Sequence, residues 1–280
     1  MMNQLNLIST KDSFSILTWN TLANQLCDSQ SFPKVSDFSL NFDRRIKKII
    51  EIIQSYNPDI ISLEEVDYAD HLDTLLQNEH HTYFKPKEEG RDGIYVAVKK
   101  SKFLIKSQSS HNYLDQNGKQ MTQLFVLSHL QFQQNPEKQI ILASTHLKAK
   151  EQFESIREQQ IKNFLQTISH QIKNFYDNQN EKSQTFDQFP LIFTGDFNTE
   201  PLCPSILNLT QSLFQKYDIP FKCAFEANDI TTFKIREKTY LRKIDYMFYN
   251  TKAFLPTIQN NLPIKQKNEQ QIQQENKKLY

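Results

Sequence analysis

Five short apolar runs in this chain each stop at a polar residue capable of chemistry, and that recurrence restricts the fold more than any other feature. The clearest is Pro190-Leu-Ile-Phe-Thr-Gly-Asp-Phe-Asn-Thr-Glu-Pro201, which breaks at Gly195 and turns polar at Asp196 and Asn198. Buried strands deliver such groups to the open end of a sheet, where α/β folds bind ligands. Asp196 and Asn198 are two apart, so extended chain would put them on one face. A carboxylate there can hold a hard cation or take a proton from water, and the amide can orient that water. Gly-Asp and Asn are also common turn residues, so this stretch alone does not decide between a site and a turn.

The remaining runs repeat the pattern. Phe14 to Asn20 alternates and is β-rich, and Asp59 to Leu63 leads into Glu64, Glu65 and Asp67. Gln139 to Thr145 ends at His146, and Lys243 to Tyr249 carries Asp245. Further strands are predicted over 81–84, 93–99, 103–109 and 122–132, with Asp115-Gln-Asn-Gly118 as a hairpin turn. Helices are predicted over 43–54, with Asp43 as cap and Asn57-Pro58 as stop, then over 68–77, 151–176 and 204–215. Ile156, Phe164, Leu165, Ile168 and Ile172 form the apolar stripe of the long third helix. Residues 177–188 read as a polar loop, and Thr231 to Arg236 as extended. Strands alternating with helices predict one α/β domain over residues 12–264, followed by a polar, disordered tail over 265–280.

Composition removes several function classes. A net charge of +1 shows no global excess for gripping long nucleic acid, so any phosphate-binding surface must be local. With 4 glycines in 280 residues there is no glycine-rich phosphate loop. A mean hydropathy of −0.63 and no long apolar run argue against a membrane span. The polar start lacks a signal-peptide pattern, and Cys27, Cys203 and Cys223 have no paired spacing. Both suit a cytoplasmic protein with reduced thiols.

Taken singly, each polar strand end has a structural account. Glu65 lies in an acidic run of the kind found on solvated faces, and His146 could be a satisfied core histidine. Asp245 is harder to explain, because a carboxylate among apolar neighbours is costly to bury unless paired or bound to a cation.

Thr18-Trp-Asn20, Leu63-Glu-Glu-Val-Asp67, Thr145-His-Leu-Lys-Ala149, Gly195 to Pro201 and Ile244-Asp-Tyr-Met-Phe-Tyr249 occur in one order. This resembles the endonuclease/exonuclease/phosphatase superfamily over residues 12–250, and within it the nocturnin and Angel deadenylase-like branch. The phrases Thr-His-Leu-Lys-Ala and Thr-Thr-Phe-Lys-Ile-Arg carry the second likeness. The resemblance implies a four-layered α/β sandwich, two mixed β-sheets flanked by helices, and Mg²⁺-dependent phosphoester hydrolysis, with Mn²⁺ as the alternative ion. It implies Glu65 and Asn20 as metal ligands, and Asp196 with Asn198 handling the attacking water. His146 would stabilise phosphate charge, and Asp245 would complete the acidic cluster. Lys148, Lys150, Arg91 and Arg236 would bind substrate, with Lys85 and Lys87 as further cations. The implied substrate is the 3′ end of a poly(A)-like RNA or a dinucleotide phosphate.

The family's closing Ser-Asp-His is absent from the sequence. The nearest echo is Gln259 to Ile264, with Asn261 at the histidine, unless the chain stops just short of the motif. The expectation is a missing or diverged closing strand, whose loss would leave a sheet edge beside the first strand for another chain or the tail to pair with, and weak or absent turnover with the metal site retained. The alternative is an inactive relative that binds nucleotide or protein.

Overall fold

The computed structural model describes residues 3–7, 13–88, 90, 92–178, 189–226 and 229–259. The expected tail over 265–280, most of the 177–188 tract, Asn261 and Arg91 lie outside these residues.

The predicted strands and helices form. In chain order they are β1 (Asn3–Leu7), β2 (Ser15–Asn20), α1 (Asp37–Leu40), α2 (Phe42–Tyr56), β3 (Ile60–Val66), α3 (Ala69–Leu76), β4 (His80–Pro86) and β5 (Gly93–Lys99). There follow β6 (Phe103–Leu114), β7 (Gln120–Phe132), β8 (Gln139–His146), α4 (Glu154–Asn178), β9 (Leu191–Asp196) and α5 (Pro204–Tyr217). The last are β10 (Phe221–Cys223), β11 (Thr232–Ile235), β12 (Thr239–Arg242), β13 (Asp245–Asn250) and β14 (Pro256–Gln259).

Two six-stranded mixed sheets, ordered β14-β1-β2-β3-β5-β4 and β10-β13-β9-β8-β7-β6, face each other. Their shared interior holds Phe14, Ile16, Ile60, Leu142, Ile192 and Met247. Ile46, Ile49 and Ile53 of α2 pack on the outer face of the first sheet against Leu17, Ile61 and Leu63. Phe164, Ile168 and Ile172 of α4 and Leu209 and Leu213 of α5 cover the second. The result is the expected four-layered sandwich.

Some local expectations are corrected. The cap of α2 is Asn41, whose side chain accepts from the Arg44 N–H, and not Asp43, which lies in the first turn. There the Asp43 carboxylate complements the helix dipole instead. Helix α4 starts at Glu154, after a 3-10 turn over Glu151–Phe153 that Lys150 precedes with a φ of 77°. Its buried stripe runs through Ile161, while Ile156 is only half-buried. The edge beside β2 is not bare. β1 pairs with it antiparallel, and β14 pairs with the far side of β1. Among the described residues no helix is long and apolar enough to cross a membrane.

Candidate active site

Alternation along the strands fixes what enters the space between the sheets. Inward residues run Ile16, Thr18, Asn20 on β2 and Ile60, Ser62, Glu64 on β3. They run Leu142, Ser144, His146 on β8 and Ile192, Thr194, Asp196 on β9, with Met247 and Asp245 on β13. Four of these strands thus pass from aliphatic through hydroxyl to carboxylate, amide or imidazole, and β13 passes directly from Met247 to Asp245. Pairing register aligns the steps: Asn20 faces Glu64, and Asp196 is matched with His146 on one side and Asp245 on the other. In the hydroxyl tier the Ser62 Oγ lies 2.9 Å from Ser144 Oγ, joining the sheets, and 3.1 Å from Glu64 Oε1.

A bulge adds Glu65. Strict alternation would aim it at the helices with Leu63, but the register of β3 against β5 shifts between Leu63 and Val66, and Glu65 has a φ of 55°. The extra residue re-aims the side chain into the cleft, a usual role for a bulge beside a site. Gly195 permits the close approach of β8 and β9, since a Cβ there would lie 1.9 Å from the Thr145 carbonyl oxygen.

Asn20 bridges the acids, its Nδ2 donating to Glu65 Oε1 at 2.8 Å and to Asp196 Oδ2 at 2.9 Å. Its oxygen accepts the Leu22 N–H. Asp196 Oδ1 accepts the Asn198 backbone N–H at 2.8 Å, and Asp245 Oδ2 accepts the Thr232 hydroxyl at 2.6 Å. Burial, then the nearby Asp245, pushes the Asp196 pKa up to about 7. Burial also raises Asp245, and burial with Asp245 and Asp196 holds Glu64 well above the carboxylate range. Burial and then Lys87 and Lys234 push His146 well below its ordinary value, so its imidazole is neutral. The Lys87 ammonium lies 3.4 Å from His146 Nδ1 and can only donate, which assigns the ring proton to Nε2. Donor atoms of Glu65, His146 and Asp196 lie within 4.8 Å of one another. Buried acids that raise one another's proton affinity form a site a divalent cation fits.

Asn20, Glu65, His146, Asp196 and Asp245 therefore meet at one place. Asn198 flanks it, but its Nδ2 is bonded to the Leu147 carbonyl at 3.0 Å. The proposed substrate cations are more scattered. The Lys148 ammonium sits 5.2 Å above the Phe153 ring, and Lys148 lines a separate groove of about 740 Å³ with Gln120, Gln159 and Lys162. Lys150 is exposed, and Arg236 stacks on Phe32 at 5.1 Å. Lys234 faces the cluster instead, influencing His146, Asp196 and Asp245. Period-two spacing from Thr232, which reaches Asp245, is the sequence signal that would have found it. Lys87 also contacts Asp92. A pocket of about 360 Å³ opens on Asn20, Asp196 and Asp245 and is walled by Trp19, Phe32 and Lys234.

Comparison with known proteins agrees with this architecture. The model of the Endonuclease/Exonuclease/phosphatase family matches residues 17–263. Nocturnin of Rattus norvegicus is 28% identical over 270 residues, covering 89% of this chain and 59% of that protein. A probable RNA exonuclease of Saccharomyces cerevisiae, NGL3, is 30% identical over 220 residues, covering 72% of this chain and 41% of that protein. The chain thus spans about half of such relatives. The crystal structure of ANGEL2, a 2',3'-cyclic phosphatase, in complex with adenosine-2',3'-vanadate superposes with a TM-score of 0.70 at 16% identity, covering 89% of this chain and 87% of that one.

Proposed function

The chain belongs to the Endonuclease/Exonuclease/phosphatase family, and we propose that it hydrolyses a phosphoester of a nucleotide-containing substrate with the help of Mg²⁺ or Mn²⁺. One observation carries the reading: Glu65 and Asp196, from strands of two sheets, are bridged by the Asn20 amide, with the His146 imidazole within 4.8 Å of both and Asp245 beside them. Glu65 would hold the ion, with Asn20 beside it and Asp196 across from it. A bound divalent ion would neutralise charge on the phosphate oxygens.

The other steps belong to side chains. Asp196, with its raised proton affinity, takes the proton of the attacking water, the role for which a pKa near the working pH is best. The Asn198 backbone N–H and the Asn20 amide fix the Asp196 carboxylate for that transfer. Neutral His146 donates its Nε2 proton to a phosphate oxygen, while Lys87 holds Nδ1. Asp245 keeps Asp196 basic by repulsion and is itself held by Thr232. Lys234 supplies positive charge on the pocket side, and Lys148, Lys150, Arg91 and Arg236 would contact more distant parts of the substrate. The candidate substrates are the 3′ end of a poly(A)-like RNA and a dinucleotide phosphate. Free cysteines and the balanced charge suit a cytoplasmic setting.

If Asn261 stands where the family has its closing histidine, turnover would be slow, because an asparagine donates a hydrogen bond but carries no charge. Loss of one preorganised donor lowers a rate by about 10²–10³. That substitution would favour a second reading, a non-catalytic relative that binds nucleotide in the same cleft. Incubation with oligoadenylate RNA and with phosphorylated dinucleotides, with and without Mg²⁺, separates the two. Metal-dependent release that Glu65→Ala abolishes supports hydrolysis. Nucleotide binding with no release from any substrate supports the second reading.

A further inference from the structure

Glu154 and Arg157 lie outside the cleft, one turn apart at the start of α4, and together they touch both loops that leave its second-sheet residues. Arg157 is 2% exposed. Its Nη1 donates to the carbonyls of Lys148 and Lys150, both at 2.8 Å, and its Nη2 to that of Glu151 at 3.3 Å. Its Nε donates to Glu154 Oε2 at 2.9 Å. That same oxygen accepts the Thr199 hydroxyl at 3.0 Å, and Oε1 accepts the Ser205 backbone N–H at 3.0 Å. Burial works to raise the Glu154 carboxyl, but these donors outweigh it and leave it below its ordinary value. One turn further, the buried Gln160 accepts the Lys148 N–H. From the other side Tyr246, on the strand of Asp245, donates to the Thr199 carbonyl at 2.9 Å.

These bonds converge on strained backbone. Lys150, with a φ of 77°, and Asn198, with a φ of 52°, are left-handed residues without the freedom of glycine. Such conformations persist where surrounding structure over-determines them. His146 starts the first loop and Asp196 the second, and Asn198 links the two through the Leu147 carbonyl.

We propose that Glu154 and Arg157 are a positioning pair for the site, setting His146 against Asp196 by bracing residues 147–151 against residues 197–199. The kinetic part rests on the hydrolytic reading above. Neither side chain touches the substrate in this account. Both act through the loops, and an ordinary helix-start ion pair would not.

The test uses the full chain with Arg157→Lys, which keeps the charge but loses the fork, and Glu154→Gln, which keeps an acceptor but loses the ion pair. Amide hydrogen exchange should quicken more than about 10-fold at 147–151 and 197–199 together, with the β6 and β7 strands unchanged. Turnover per folded molecule should fall about 10- to 100-fold with KM within about 3-fold, as expected of misplacement near 1 Å. In a His146→Ala background the added loss from Arg157→Lys should shrink below about 3-fold, because the pair acts through that imidazole. A full additional loss there, or lowered thermal stability with unchanged turnover, overturns the proposal. If the unmodified chain cleaves nothing, the hydrolytic reading fails by itself. Exchange then decides, and unchanged protection at both loops overturns the pair. Should Arg157→Lys not fold, Glu154→Gln is read by the same criteria.

Discussion

The two ends of the space between the sheets are made by the same strands and have opposite energetics. At one end Phe14, Phe103 and Phe132 meet with ring centroids 4.8–5.7 Å apart, among Ile16, Ile60, Leu142 and Ile192. Burial there stabilises in proportion to apolar area. At the other end the same backbone ladders bury Glu64, Glu65, Asp196 and Asp245, and the charges of Asp245 and Glu65 make Glu64 and Asp196 harder to ionise. A chain selected only to fold would continue the apolar tier to the strand ends. The acidic end is held in place by the apolar end, and a cation entering it would relieve the repulsion among its carboxylates.

The sharpest way to break this comparison is to remove one acid that should matter for turnover but not for folding. Glu65→Ala is expected to lower metal-dependent phosphoester release about 10³-fold, at the upper end of what loss of a single donor costs, while leaving the unfolding midpoint nearly unchanged. Release with synthetic substrates and thermal unfolding on the same preparation check it. The mirror experiment is Leu142→Ala at the apolar end, expected to cost about 2–5 kcal/mol of stability in denaturant titration. Molecules that remain folded should keep their turnover.

A subtler break inverts the usual effect of mutation. Asp196 has a pKa of about 7 in the fold against an ordinary 3.8, so the folded state holds its proton more tightly than the unfolded state. Its burial is therefore harmless below about pH 4, and its destabilisation grows as pH rises towards 7 and is complete above it. Asp196→Asn should make the metal-free protein more stable at pH 8, on the order of 1–3 kcal/mol, with the gain gone near pH 4. Unfolding at the two pH values, with chelator and then with excess Mg²⁺, measures it. An equal gain at both pH values would place the effect in packing and not in charge.

Much of this division was legible in the residues. Alternation marked the strand of Asn20, and short apolar runs closing on or carrying a polar residue marked those of His146, Asp196 and Asp245, because strands buried on both faces read as continuous apolar runs. The burial of Glu64 and Glu65 left no such trace. An acidic run reads as solvated, and although alternation carries Glu64 inward after Ile60 and Ser62, only the bulge in β3, a feature of register between distant segments, turns Glu65 in beside it. The cap of α2 was misplaced for a related reason, since Asn41 and Asp43 are equally good cap residues and the backbone path decides. β1 completing the first sheet beside β2 was equally hidden, because strand pairing is set by what the rest of the fold leaves open.

The smallest expected effect tests where the resemblance and the geometry part. Motif position puts Lys148, two residues after His146, in contact with substrate, whereas its ammonium lies over Phe153 and in a groove apart from the acids. Lys234 lies in the matching phrase Thr231 to Arg236, where the resemblance gives it no role, yet its charge acts on Asp196, Asp245 and His146. A cation facing the acidic end should matter for placing an anionic substrate, and a distant one should be screened. Lys234→Ala is therefore expected to lower kcat/KM about 10-fold, and Lys148→Ala less than about 3-fold, with the difference shrinking in high salt. The reverse order would mean that the substrate extends across the groove of Lys148, and the active end would then reach well beyond the strand ends that define it here.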